Sequence, residues 1–275
     1  MSSSPSFAAL GVRRRRSAAR RVVAGVLAAA GLALAARSSP AQQPPPAQAT
    51  AIPSADAFVF AGEPNLNYGG AGALAVSDPA QDQGEYQSLM RFDLSSARAA
   101  FDAQFGASGW RLESASLRLV TANPGNPIFN ANAAGPFAVS WLQNDNWVEG
   151  AGTPNSPTTD GVTYNSLPSL LGPADEALGT FNFPGGTSGA NTYALALPAG
   201  FAADAAAGNP VSLRLLPGAD EASYVFNSRS IQTVANRPTL TLTAVVPEPG
   251  AAGAAAGAAL AAVAASALAA RRRPG

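Results

Sequence analysis

Residues Thr239, Leu240, Thr241, Leu242, Thr243, Ala244 and Val245 alternate hydroxyl and apolar side chains. Side chains on a strand point to opposite faces with a period of two, so this order puts Leu240, Leu242 and Ala244 on one face and three threonines on the other, as in a half-buried strand. Similar short runs recur upstream at Ala57 to Phe60, Leu74 to Val76, Ser88 to Phe92, Ala115 to Val120, Phe137 to Trp141, Gly179 to Phe183, Thr192 to Leu197, Val211 to Leu216 and Ser223 to Phe226. Gly, Pro, Asn and Asp gather between the runs, where turns need them. The pattern predicts an all-β fold, a two-sheet antiparallel jelly-roll-like sandwich over residues 55–245.

Two stretches break the period. Ser96 to Phe105, with Ala97, Ala100, Phe101 and Phe105 at helical spacing, and Ala199 to Ala207 read as short helices that close an open end of the sandwich. Two segments between strands are long enough to suggest function: Thr121 to Pro136, and Leu142 to Leu178. The second holds Asn144, Asp145, Asn146, Trp147, Glu149 and Tyr164.

The chain has no Cys, no His and no Lys. That excludes a disulfide framework, a zinc site, an imidazole-based triad and a Schiff base, and leaves only carboxylate and hydroxyl chemistry. Catalysis would have to use pairs such as Asp145 with Glu149 or Asp175 with Glu176, and no further donor constellation accompanies them. The expectation is therefore a protein that is not an enzyme.

Both ends read as address labels. Arg13 to Arg16 with Arg20 and Arg21 precede an apolar run from Val22 to Ala36, and Ser39, Pro40 and Ala41 offer small residues for cleavage after Ala41. Residues 1–41 are thus expected to be a signal peptide for Sec export, in preference to the twin-arginine route that Arg20 and Arg21 could also suggest. Residues 42–54, rich in Pro and Gln, are expected to be a flexible leader. At the other end, Pro247, Glu248 and Pro249 are followed by uncharged residues from Gly250 to Ala270 and then by Arg271, Arg272 and Arg273. A helix over that run spans roughly 31 Å, enough to cross a hydrocarbon core, with the arginines kept on the cytoplasmic side. This order in residues 246–275 resembles the PEP-CTERM sorting signal. The resemblance implies recognition and cleavage by an exosortase after export, transient anchoring in the membrane by the C-terminal helix, and a final place in the cell envelope, at the surface or in the extracellular matrix of a bacterium.

Removing both ends changes the charge. The whole chain is formally neutral, but seven arginines lie in residues 1–41 and three in 250–275, whereas all seventeen carboxylates lie between Asp56 and Glu248 with the remaining seven arginines, giving residues 42–249 a net charge of −10. Nucleic acid is excluded as a partner by that balance, because phosphate binding needs a basic surface. Cations suit it better. The Asn144, Asp145, Asn146 cluster makes Asp145 a weak candidate for a structural Ca²⁺, although such clusters also cap turns, and no other cofactor is expected.

Several pieces in order resemble the DNRLRE-type domain, a secreted β-sandwich related to carbohydrate-binding modules: Asn67-Tyr68-Gly69, Arg91-Phe92-Asp93-Leu94, Ser114-Ala115-Ser116-Leu117-Arg118-Leu119, Trp147-Val148-Glu149-Gly150, Gly161-Val162-Thr163-Tyr164-Asn165, Phe226-Asn227-Ser228-Arg229 and Arg237-Pro238. The resemblance covers nearly the whole core and implies polysaccharide binding, in some members of acidic chains such as alginate. Sugar recognition needs aromatic faces and planar donors. Trp147, Tyr164 and Arg229 are the candidates, with packing of the long loop as the competing role for the two aromatics. Trp141 alternates with Ser140 and reads as core. Arg91 with Asp93 reads as a structural ion pair, and Arg118 and Arg214 as solvated arginines on polar strand faces. A polysaccharide-binding module predicts a groove lined by Trp147, Tyr164 and a nearby arginine; the alternative, a structural matrix protein without a specific ligand, predicts those side chains packed.

Overall fold

The computed structural model describes residues 43–122, 134–186, 188–218 and 222–248. The expected signal peptide with its cleavage site at Ala41, and the tail from Pro249 through Arg271, Arg272 and Arg273, lie outside the described residues. Among the described residues no helix is long and apolar enough to cross a membrane.

The chain forms strands β1 (Ala47–Ala51), β2 (Pro53–Phe60), β3 (Ala73–Ser77), β4 (Tyr86–Asp93), β5 (Arg111–Val120), β6 (Gly135–Leu142), β7 (Glu176–Phe183), β8 (Ala190–Leu195), β9 (Pro210–Pro217), β10 (Ser223–Asn227) and β11 (Thr239–Val245), with helices α1 (Ser95–Phe105) and α2 (Ala199–Ala207). Four strands make one antiparallel sheet in the order β1-β11-β5-β8. Seven make the other, in the order β10-β3-β4-β9-β6-β7 with β2 paired to β4.

The alternation in β11 is the reason the first sheet has an inside. Leu240, Leu242 and Ala244 are fully buried, and Leu240 and Leu242 stand opposite Leu117 and Ala115 of β5 and Ala51 and Ala49 of β1. They meet Met90, Phe92, Phe137, Val139, Leu213 and Leu215 of the second sheet in one core. Aromatic rings fill the space toward β7 and β10: Phe137 meets Tyr193 edge-on at 5.0 Å, and Phe183 lies 4.9 Å from Tyr224. Such pairs add stabilisation beyond the area they bury.

One boundary needs correction. The segment 42–54, expected to be a flexible leader, contains β1 and the first residues of β2. Ala47, Ala49 and Ala51 lean on the core while Gln48 and Thr50 face out, and the backbone pairs along β11. Alanine is too small to signal a strand by hydrophobicity, so β1 exists through its ladder with β11 rather than through its own side chains.

Both helices appear where their spacing placed them. Ala97 and Phe101 of α1 and Phe201 and Ala205 of α2 are buried against the main core. Glu176 receives the Gly200 and Phe201 N–H groups at 3.0 and 2.7 Å, which satisfies the first turn of α2 with a carboxylate. The long segment after β6 folds back over the outer face of the second sheet. There Trp147, Val162, Leu167 and Leu170 cover Ala55, Ala57 and Val59 of β2 and Leu89 of β4.

Replacing Leu242 with Ala is expected to cost about 2–5 kcal/mol in urea unfolding, the range for a buried leucine that leaves a cavity. Thr241→Ala, on the opposite face of the same strand, should change stability by less than about 1 kcal/mol.

Candidate functional site

The long loop is held by polar groups, and most motifs singled out in the sequence meet there. Asn67 is completely buried and uses its whole amide. Its Nδ2 donates to the carbonyls of Glu149 and Val162 at 2.7 and 2.8 Å, and its Oδ1 accepts from the Gly69 and Gly152 N–H groups at 3.1 and 3.2 Å. Gly150 has φ +76°, and a Cβ there would come within 2.1 Å of the Asn67 amide oxygen, so only glycine fits.

Arg91 is the second anchor. Its Nη1 donates to the Asp145 and Trp147 carbonyls at 2.9 and 2.7 Å, and its guanidinium lies 5.1 Å from the centre of the Trp147 ring. The expected ion pair with Asp93 is not formed. Asp93 instead turns to Ser95 at the start of α1, whose side-chain hydroxyl and, secondly, backbone N–H hold its carboxyl below the usual range. Arg91 faces the loop because burying two loop carbonyls requires a donor.

The third anchor is Glu149 with Arg229. Arg229 grips the carboxylate with two nitrogens, Nε at 2.8 Å and Nη2, while the Asp56 N–H donates to the same carboxylate at 3.2 Å. The Asp56 carboxyl, 1 % exposed, accepts the Arg229 backbone N–H at 2.5 Å. Burial pushes Asp56 up to about 7, and the neighbouring Glu149 charge adds to the rise.

The structure therefore separates the three candidates for sugar binding. Trp147 is 5 % exposed, and its indole N–H donates to Ser212 Oγ at 2.9 Å; it is a core residue of the loop, not a stacking platform. Arg229 is committed to Glu149 and Asp56. Tyr164 keeps a partly exposed ring and donates its hydroxyl to Glu85 Oε2 at 2.6 Å. The expected groove of Trp147, Tyr164 and Arg229 is thus absent, because a loop this long over an apolar sheet face uses its largest ring and its nearest cation to pin itself. Trp141 is core, as its alternation indicated. At Asp145 the backbone carbonyl is taken by Arg91, and among the described residues no three acidic side chains gather there as metal ligands. Three of the four carboxylates in the pairs are likewise engaged in structure: Glu149 by Arg229, Glu176 by α2, and Asp175 by the Gln143 and Gly172 N–H groups at 3.0 and 2.9 Å, while Asp145 Oδ1 is buried without a partner among the described residues.

A different place offers free polar groups. Arg118 faces outward from β5, and its Nη1 donates to the Ala235 carbonyl at 2.8 Å, while Arg237 Nε donates to the Ile231 carbonyl at 3.0 Å. These bonds shape the loop between β10 and β11 into one wall of a cleft of about 590 Å³, lined by Arg118, Thr121, Asn227, Ile231, Thr233 and Asn236 among others, with no carboxylate in the lining among the described residues. Thr121 Oγ1 is buried behind that wall with no hydrogen-bond partner among the described residues, as are Trp141 Nε1, Asp145 Oδ1 and the Tyr193 hydroxyl elsewhere. The volume suits a small ligand or a few linked rings. A smaller cavity of about 310 Å³ lies over the buried edge of Trp147, between Asn146, Val148, Asp160 and Ser166. Nothing in the sequence marked Arg118 as more than a polar-face residue, because the 228–236 loop comes to it only in the fold.

An antiparallel β-sandwich with a polar cleft at its loops is an architecture that many binding domains share, carbohydrate-binding modules among them. Residues 47–244 match the model of carbohydrate-binding module family 96, and the chain belongs to that family. The match opens at the first residue of β1 and closes within β11, so it covers the sandwich from its first strand to its last. No curated protein matches the chain.

The buried Asp56 makes stability depend on pH. Its folded pKa lies above its unfolded value of 3.8, so the folded state holds the proton more tightly and loses that advantage as pH rises toward about 7. The melting temperature should fall from about pH 4 to about pH 7 and level off above it, and Asp56→Asn should flatten that fall by at least about 1 kcal/mol.

Proposed function

We propose that this chain is an exported, non-catalytic polysaccharide-binding module, delivered to the surface or extracellular matrix of a bacterium by its PEP-CTERM-like tail and released from the membrane by an exosortase. The strand order β1-β11-β5-β8 against β4-β9-β6-β7 is one we read as a jelly roll, an architecture that lectin domains also use. Membership of a carbohydrate-binding family gives the ligand class. The observation that carries the site is the cleft beside Arg118: the planar donors and acceptors of Arg118, Asn227 and Asn236 line it together with the Thr233 hydroxyl. This set suits sugar hydroxyls, each of which both donates and accepts. Among the described residues the lining holds a cation and no carboxylate, which suits neutral or acidic sugars despite the acidic body.

The packing of Trp147 favours a second reading, a matrix protein without a specific ligand, because that side chain no longer offers a binding face. The two separate on a glycan array of neutral and uronic-acid polysaccharides, run with and without Ca²⁺. The module reading expects saturable binding that weakens at least tenfold, about 1.4 kcal/mol, in Arg118→Ala. A folded protein that binds no glycan would establish the matrix reading. The sorting reading has its own check: changing Pro247, Glu248 and Pro249 together to Ala should leave the tail uncut and the protein retained in the membrane fraction, and normal processing of that variant would remove it.

A further inference from the structure

Along β9, Val211, Leu213 and Leu215 enter the core, so Ser212, Arg214 and Leu216 face outward. The register seats Arg214 between Leu89 of β4 and Ser140 of β6, and the outward positions beyond it, Ala138 and Ser140 of β6 with Ala177 and Thr180 of β7, carry short side chains. The sheet surface beside Arg214 is thus a low shelf.

Arg214 belongs to a connected chain of hydrogen bonds. Its Nε donates to Gln87 Oε1 at 2.8 Å, the buried Gln87 amide donates to one oxygen of Glu85, and the other oxygen of Glu85 receives the Tyr164 hydroxyl at 2.6 Å. Its terminal nitrogens make no hydrogen bond and no ion pair among the described residues. The side chain is only half-exposed, and burial holds the guanidinium below its ordinary range. These terminal N–H groups, on a side chain that solvent still reaches, are open to a ligand. Every other element of this network is pinned: Gln87 and Glu85 by each other, and Tyr164 by Glu85 and by packing on the loop core. The four terminal N–H groups of Arg214 and the exposed part of Tyr164 remain.

We propose that Arg214 and Tyr164 form a second carbohydrate site on the outer face of the seven-stranded sheet, separate from the Arg118 cleft and suited to a neutral sugar. The ring of Tyr164 offers a face for sugar C–H groups, and the Arg214 fork matches two adjacent hydroxyls. Selection for a neutral ring comes from Glu85 and Asp175, whose charges act on Arg214. They can accept sugar hydroxyls, but they repel a ligand that brings its own carboxylate or sulfate. The ligand class rests on the carbohydrate-binding reading; the position does not depend on the cleft.

The test is isothermal titration calorimetry of the purified protein with neutral glucan, mannan and galactan hexasaccharides and with a hexauronate. At least one neutral hexasaccharide should bind, with affinity reduced tenfold or more in Arg214→Met and in Tyr164→Ala and unchanged in Arg118→Ala. Ser140→Trp, at an outward position with no part in the core, should block the shelf to the same degree in a protein that melts like the parent. No binding of any neutral hexasaccharide, binding indifferent to all three shelf variants, or a preference for the hexauronate that persists in Arg118→Ala would each overturn the proposal. Loss of all binding in Arg118→Ala alone would overturn it while supporting the cleft, so the two sites fail separately.

Discussion

The Arg91 guanidinium, set against the Trp147 ring and bonded to two loop carbonyls, is the contact on which the functional surface depends. Without disulfides, a loop of some thirty residues can be fixed only by burying apolar side chains and by satisfying every polar group that goes with them. Trp147, Val162, Leu167 and Leu170 provide the first on the sheet face, and Arg91, Asn67 and the Glu149–Arg229 pair provide the second. Once that loop is down, it determines what stays open. The outer face toward β2 is covered, the face toward β7 is bare beside Tyr164, and the cleft on the other sheet takes its wall from a different loop.

Arginine has an unusual share of this work. The body of the chain has seven arginines and no lysine. Arg91, Arg118 and Arg237 donate to backbone carbonyls of loops, Arg98 does so to the end of α2, and Arg229 grips a carboxylate. A planar fork with five donors can hold a loop with part of its capacity and present the rest outward, which an ammonium group does less well. Arg118 and Arg214 are both held by a single bond and so keep donors for a ligand.

The strands were legible because each buries a face of a two-layer core, and burial on one side imposes a period of two. Thr239 to Val245 is β11 without change, eight of the nine upstream runs appear with boundaries extended by a few residues, since backbone pairing continues past the last apolar side chain, and the run Thr192 to Leu197 appears shifted, as Ala190–Leu195. β1 was hidden because alanines carry little hydrophobic signal. Among the site candidates, Tyr164 was correctly seen as a loop aromatic. Trp147 was indistinguishable from it in sequence, as both are aromatic residues in a polar segment. Burial separated them: the ring with a partner for its N–H in Ser212 went inside, and the one whose hydroxyl could reach Glu85 stayed at the edge.

Periodicity, composition and the absence of Cys, His and Lys determined by themselves an all-β sandwich with an acidic body and no thiol, imidazole or amine chemistry, because these properties follow from residue type and local spacing. Which arginines are pinned and which are free was decided only by the tertiary structure. Arg91, Arg118, Arg214 and Arg229 occupy similar polar contexts along the chain, and their partners are loops and strands far away in sequence, brought together by the crossing of two sheets and the folding back of one long loop.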